Sequence, residues 1–86
     1  MKEEIVTVQN ETGIHARPAA QLTEFCKQFP QQITIKKGEE TVNPKSIIGL
    51  MAAGITNGTT ISVQVEGDDE EAVAKKIAHF ISDLKG

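Results

Sequence analysis

An imidazole and a guanidinium stand two residues apart in the heptapeptide Gly13-Ile14-His15-Ala16-Arg17-Pro18-Ala19. A helical pattern begins at the same place. The first four N–H groups of a helix have no partner within it, and the aligned peptide dipoles leave partial positive charge there, so anions are stabilised at such a point. A histidine held at that tip can take a phosphoryl group on a ring nitrogen. The added charge would be met by the free amides of Ala16 and Arg17 and by the forked donors of the Arg17 side chain. Pro18 suits a first helical turn, where its missing N–H is no loss. It should also push Arg17 away from helical angles, which places the helix start within a residue or two of His15. Gly13 supplies the tight entry bend.

The elements that must position these groups follow from periodicity. Glu4 to Val8 is rich in β-branched residues and reads as a strand with Val6 and Val8 on one face, followed by a loop over Asn10 to Gly13. From Pro18 onward Ala19, Leu22, Cys26 and Phe29 recur at helical spacing until Pro30 stops the run. Gln32 to Lys36 forms a second strand through Ile33 and Ile35, and Lys37-Gly38-Glu39 turns the chain into a short third strand with Val42. Ser46 is a favoured N-cap for a short helix that Gly54 ends. Its apolar residues do not share one stripe, so some of Ile47, Ile48 and Met51 should stay exposed.

Asn57-Gly58 marks a turn, and Ile61, Val63 and Val65 alternate with polar residues in a fourth strand that ends at Gly67. Asp68 to Leu84 presents Val73, Ile77, Phe80, Ile81 and Leu84 on one helical face, with Asp69 as the expected cap. The order is β-α-β-β-α-β-α. Strands that each bury one face require a four-stranded antiparallel sheet with three helices on one face, an open-faced α/β (α+β) sandwich. Residues 1–86 are read as one domain.

Composition narrows the function. The net charge of −3, with no basic stripe or set of stacking aromatics, argues against nucleic acid. Two histidines and one cysteine make a poor metal set and permit no internal disulfide, so neither a metal nor another cofactor is expected. No apolar run suits a signal peptide or a membrane span, which makes the cytoplasm the expected location. Residues 12–23 and 41–65 hold no carboxylate, although the chain has twelve acids. Acids thus avoid both stretches that suit anion chemistry.

The chain resembles HPr, the family of histidine-containing phosphocarriers of the bacterial phosphoenolpyruvate-dependent sugar phosphotransferase system. Two segments carry the likeness: the heptapeptide at 13–19, and Lys45-Ser46-Ile47-Ile48-Gly49 with Met51 and Gly54. The resemblance implies that His15 is phosphorylated on Nδ1 by enzyme I, at the expense of phosphoenolpyruvate, and passes the group to IIA domains of sugar transporters. It makes Arg17 the phosphate partner and the protein a carrier, not an enzyme. Thr12 stands where the family has a small polar residue able to hydrogen-bond the imidazole.

In many relatives Ser46 is phosphorylated by HPr kinase/phosphorylase, which would add charge beside a docking surface formed by Ile47, Ile48 and Met51. That modification would serve a catabolite-control regulator. The alternative is a regulatory paralogue acting mainly through Ser46 and a transcriptional partner. Pro44, Ile48, Ala53 and Glu24 depart from the family's pattern without touching His15. A phosphohistidine-forming phosphatase and a ferredoxin-like metabolite binder are weaker readings, because the stretches around His15 offer no carboxylate as general acid and the chain is too short for a deep pocket. His79 reads as structural or solvated, and Cys26 as an inert core thiol.

Overall fold

The structure is a computed structural model that describes residues 1–85. Its elements are β1 (Lys2–Thr7), α1 (Ala16–Cys26), β2 (Gln32–Lys37), β3 (Glu40–Val42), α2 (Ile47–Ala52), β4 (Thr60–Glu66) and α3 (Glu70–Ser82). The four strands form one antiparallel sheet in the order β1-β4-β2-β3, and the helices lie on one of its faces as the open-faced sandwich requires.

Register fixes which side chains meet the helices. Val6 pairs with Ile61, and Val63 lies opposite Ile35. These four residues are buried, together with Leu22, Cys26, Leu50, Val73, Ile77 and Ile81 from the three helices. The alternate residues Glu3, Gln64 and Thr34 form the other face, where Glu3 accepts hydrogen bonds from Ser62 and Gln64. Helix α3 packs along β1 and β4, while α1 contacts both α2 and α3.

Three local expectations are corrected. Helix α1 already includes Arg17, so Pro18 sits at its third position and does not hold Arg17 outside. A proline ring collides with the carbonyl four residues back only when that residue is helical, and here it is Ile14, which precedes the helix. The same helix ends at Cys26, before Phe29. Pro30 has no N–H with which to continue the ladder, so the chain tightens through the bonds Gln28 N–H to Phe25 O and Phe29 N–H to Cys26 O. Phe29 nevertheless packs edge-on against Phe25, their ring centres 5.3 Å apart.

Asp69 occupies the N-cap position of α3 in a left-handed conformation, φ 56°, and its side chain makes no capping bond. The Glu70 carboxylate accepts the N–H of Gly67 at 3.2 Å, which ties the turn before the helix to its first residue and leaves the first helical amides without a side-chain cap. Met51, Ile47 and Ile48 are all exposed, so Leu50 alone anchors α2 in the core. Among the described residues no helix is long and apolar enough to cross a membrane.

Candidate functional site

His15 is the N-cap of α1. Its backbone is extended, φ −102° and ψ −164°, and its carbonyl accepts the N–H of Ala19 at 2.7 Å as the first bond of the helix. Ala19 is thereby satisfied and Pro18 has no N–H, which leaves the amides of Ala16 and Arg17 without a partner inside the helix. The imidazole makes no capping bond, and His15, Ala16 and Arg17 are all exposed. The side chain best placed to tie itself to the helix tip is therefore free of it.

The loop before the helix is held from two sides. Gly13 has φ 70°, and a Cβ on it would lie 2.6 Å from Thr56 Cα. Ile14 donates its N–H to the Ile55 carbonyl at 2.9 Å and buries its side chain. Asn10 is buried and donates through Nδ2 to the Gly13 carbonyl, while Asn57 Nδ2 donates to the carbonyls of Gln9 and Asn10 at 3.0 and 3.3 Å. Side chains and backbone thus fix a rigid base from which the imidazole projects.

His15 opens into a shallow cleft of about 640 Å³. Thr12, Ala16, Arg17, Pro18 and Gln21 line it on the side of α1, and Phe80, Asp83, Leu84 and Lys85 on the side of α3. Five of the residues singled out around the heptapeptide, Thr12, His15, Ala16, Arg17 and Pro18, therefore meet in one place. Thr12 makes no hydrogen bond to the ring among the described residues.

Asp83 and Lys85 were invisible as neighbours of His15 because they lie nearly seventy residues away in the chain. Topology supplies the missing signal. Helix α3 starts beside the Glu66 end of β4 and runs back toward Thr60, the partner of Thr7, so its last turn arrives where β1 hands over to the His15 loop.

Ser46 lies outside this cleft, as the N-cap of α2. Its Oγ accepts the N–H of Gly49 at 3.1 Å. The segment before it is pinned by Lys45, whose ammonium donates to the carbonyls of Phe29 and Gln31 at 2.7 and 3.1 Å, and by Thr23, whose hydroxyl donates to the Pro44 carbonyl at 2.9 Å. Thr23 is almost fully buried in an otherwise apolar helix face. Ile48 is 81 % exposed, flanked by Ile47 and Met51, which gives α2 an apolar outer surface. Of the departures from the expected pattern, Pro44 and Ala53 are buried, whereas Glu24 is exposed.

Among the described residues no group of three or more His, Cys, Asp and Glu side chains converges as a metal site. Cys26 is buried in the core, which pushes its thiol up to about 12 despite the nearby Lys45 cation. His79 is exposed and its Nε2 lies 3.1 Å from the Asp83 carboxylate, one turn on.

Residues 2–83 match the family model described as PTS HPr component phosphorylation site. Among curated proteins the chain is similar to the HPr-like protein Crh of Halalkalibacterium halodurans, 41 % identical over 81 residues that span 94 % of this chain and 96 % of that protein. It is also similar to the phosphocarrier protein HPr of Lysinibacillus sphaericus, 34 % identical over 84 residues, 98 % of this chain and 96 % of that one. Among solved structures, HPr from Thermoanaerobacter tengcongensis superposes with a TM-score of 0.88 at 41 % identity, covering 94 % of this chain and 91 % of the other.

Proposed function

The chain belongs to the HPr family of phosphotransferase-system phosphocarriers, and from that premise we propose that His15 is the residue that carries the phosphoryl group, in a single domain spanning residues 1–86. The observation that supports this most directly is the exposed imidazole at the tip of α1, with the unpaired amides of Ala16 and Arg17 and the Arg17 guanidinium around the same open cleft.

In the transfer from enzyme I, the neutral ring attacks phosphorus through the Nδ1 lone pair. The bond from phosphorus to the atom that carries it on enzyme I breaks, and its electron pair leaves with that atom. The second ring nitrogen holds or releases its proton to water, for which its exposure is suited. A carrier must also surrender its cargo. A shallow cradle of two amides and one guanidinium favours the phosphorylated state only modestly, and its openness admits a IIA domain on the next step. The protein is in this reading a cytoplasmic substrate of its partners and supplies no catalytic machinery of its own.

The test is direct. Mixed with enzyme I and phosphoenolpyruvate, the wild type gains the mass of one phosphoryl group and His15→Ala gains none. A wild type that gains nothing would remove the reading. Arg17→Gln is expected to lower the phosphorylated fraction at a fixed phosphoenolpyruvate to pyruvate ratio.

Ser46 supports a regulatory second layer. Its hydroxyl lies at the start of a helix whose outer surface is apolar, with Ile47, Ile48 and Met51 exposed. A phosphate placed there by HPr kinase/phosphorylase would be favoured by the helix dipole and would alter that surface for enzyme I and for a catabolite-control regulator. The likeness to Crh proteins favours this layer, and the presence of His15 favours the carrier role alongside it.

A further inference from the structure

Two helices abut the His15 cleft with opposite ends. The tip of α1 presents partial positive charge, but the last turn of α3 presents its carbonyl end, which carries partial negative charge, and Asp83 adds a full carboxylate on the same wall. A phosphoryl group brings close to two further negative charges into this space. One side of the cleft therefore opposes the charge that the other side attracts. Among the described residues, the ionisable groups lining it are His15, Arg17, Asp83 and Lys85.

We propose that Lys85 is a second cation for the phosphoryl group on His15, offsetting Asp83 and the carbonyl end of α3 so that the cleft as a whole favours the phosphorylated state. The proposal rests on the carrier reading of His15. Lys85 is exposed and lines the cleft together with Leu84, which is buried and anchors the chain just before it. Its ammonium is a mobile point charge on a flexible stem, suited to a group that arrives and leaves, whereas Arg17 supplies the directional donors. Asp83 also meets His79 Nε2 at 3.1 Å, a residue that does not line the cleft.

The experiment is the phosphorylation equilibrium of the full chain, reached through enzyme I at fixed phosphoenolpyruvate and pyruvate and read by intact mass. Enzyme I sets how fast equilibrium is reached and not where it lies, so altered docking cannot imitate the effect. Lys85→Gln is expected to lower the ratio of phosphorylated to free protein about two- to fivefold, the scale of an exposed charge pair. Lys85→Arg should stay close to wild type, Asp83→Asn should raise the ratio, and the double variant Lys85→Gln/Asp83→Asn should return near the starting value. The differences should shrink in 1 M salt.

A Lys85→Gln ratio equal to wild type, or a Lys85→Arg ratio as low as that of Lys85→Gln, would overturn the proposal while leaving the carrier reading intact. Failure of the wild type itself to become phosphorylated would instead sink the carrier reading. Thermal unfolding of each variant, expected to be unchanged, separates a charge effect from a loss of structure.

Discussion

The amide of Ile14 and the carbonyl of Ile55 meet at 2.9 Å, and this bond ties the residue before His15 to the loop that joins α2 to β4. The same stretch of backbone, Ile55 and Thr56, lies where a side chain on Gly13 would have to go. Neighbouring residues thus impose two demands: Ile14 must approach closely, and Gly13 must have no Cβ and a positive φ of 70°. Replacing Gly13 by Ala should cost about 1–2 kcal/mol for the left-handed backbone and about 1–3 kcal/mol more for the overlap. The measurement is the urea midpoint of Gly13→Ala against wild type. An unchanged midpoint would mean that the loop is not held as described.

Thr23 supplies a second tie, between α1 and the segment that leads into α2. Its hydroxyl and the Pro44 carbonyl are both buried, and Thr23→Val keeps the shape while leaving that carbonyl without its partner. The expected loss is about 1–2 kcal/mol in unfolding free energy. Hydrogen exchange at the amides of Ser46 and Gly49 should rise with it, because those groups depend on where the segment is pinned. Exchange that rises only in proportion to global unfolding would show that Thr23 contributes stability without positioning α2.

How far such features could be read in advance follows from their range along the chain. Val6 and Val8, the Ile33 and Ile35 pair, and the Ile61-Val63-Val65 alternation announce the sheet, because a period of two is a local property of consecutive residues. His15, Arg17 and Pro18 announce the tip of α1 for the same reason. Asp83 and Lys85 carry no local sign of their position, since only the antiparallel pairing of β1 with β4 and the return of α3 bring them to His15. The role of Thr23 has no local sign either, since it depends on a carbonyl twenty-one residues away. The unmade cap at Asp69 was misread because residue type favours capping, whereas the backbone at φ 56° turns the side chain away from the helix amides.

Cys26 provides a pH-dependent test of core packing. Burial raises its thiol from 9.0 to about 12, so at a given pH below 9 the native protein holds about a thousandfold less thiolate than an exposed cysteine would. Iodoacetamide at pH 8.5 should leave the folded protein unmodified over a time in which the urea-unfolded chain reacts completely. The same shift has a thermodynamic consequence. A raised folded-state value contributes stability that is whole below pH 9.0 and is lost as pH climbs toward 12, because the unfolded chain releases its proton first. Cys26→Ala should be less stable at neutral pH from lost packing, yet its stability should fall less steeply above pH 9. Parallel slopes for the two proteins would place the alkaline loss elsewhere.

Ser46 separates a structural duty from a regulatory one. Its Oγ accepts the Gly49 amide at 3.1 Å at the start of a helix of six residues that only Leu50 anchors in the core, so little else holds the first turn. Ser46→Ala should cost about 1 kcal/mol, a fall of roughly 4–8 °C in Tm for a chain of this size. Asp is also a good N-cap and suits the positive helix end, so Ser46→Asp should unfold within about 0.5 kcal/mol of wild type. The proposed regulation demands a different ranking of rates. Because Ser46→Asp places negative charge beside the exposed Ile47, Ile48 and Met51, it should slow His15 phosphorylation by enzyme I, whereas Ser46→Ala, though less stable, should react at close to the wild-type rate below its melting range. If both variants slowed in step with their stability, the effect would belong to the fold of α2, and charge at Ser46 would have no separate influence on the carrier.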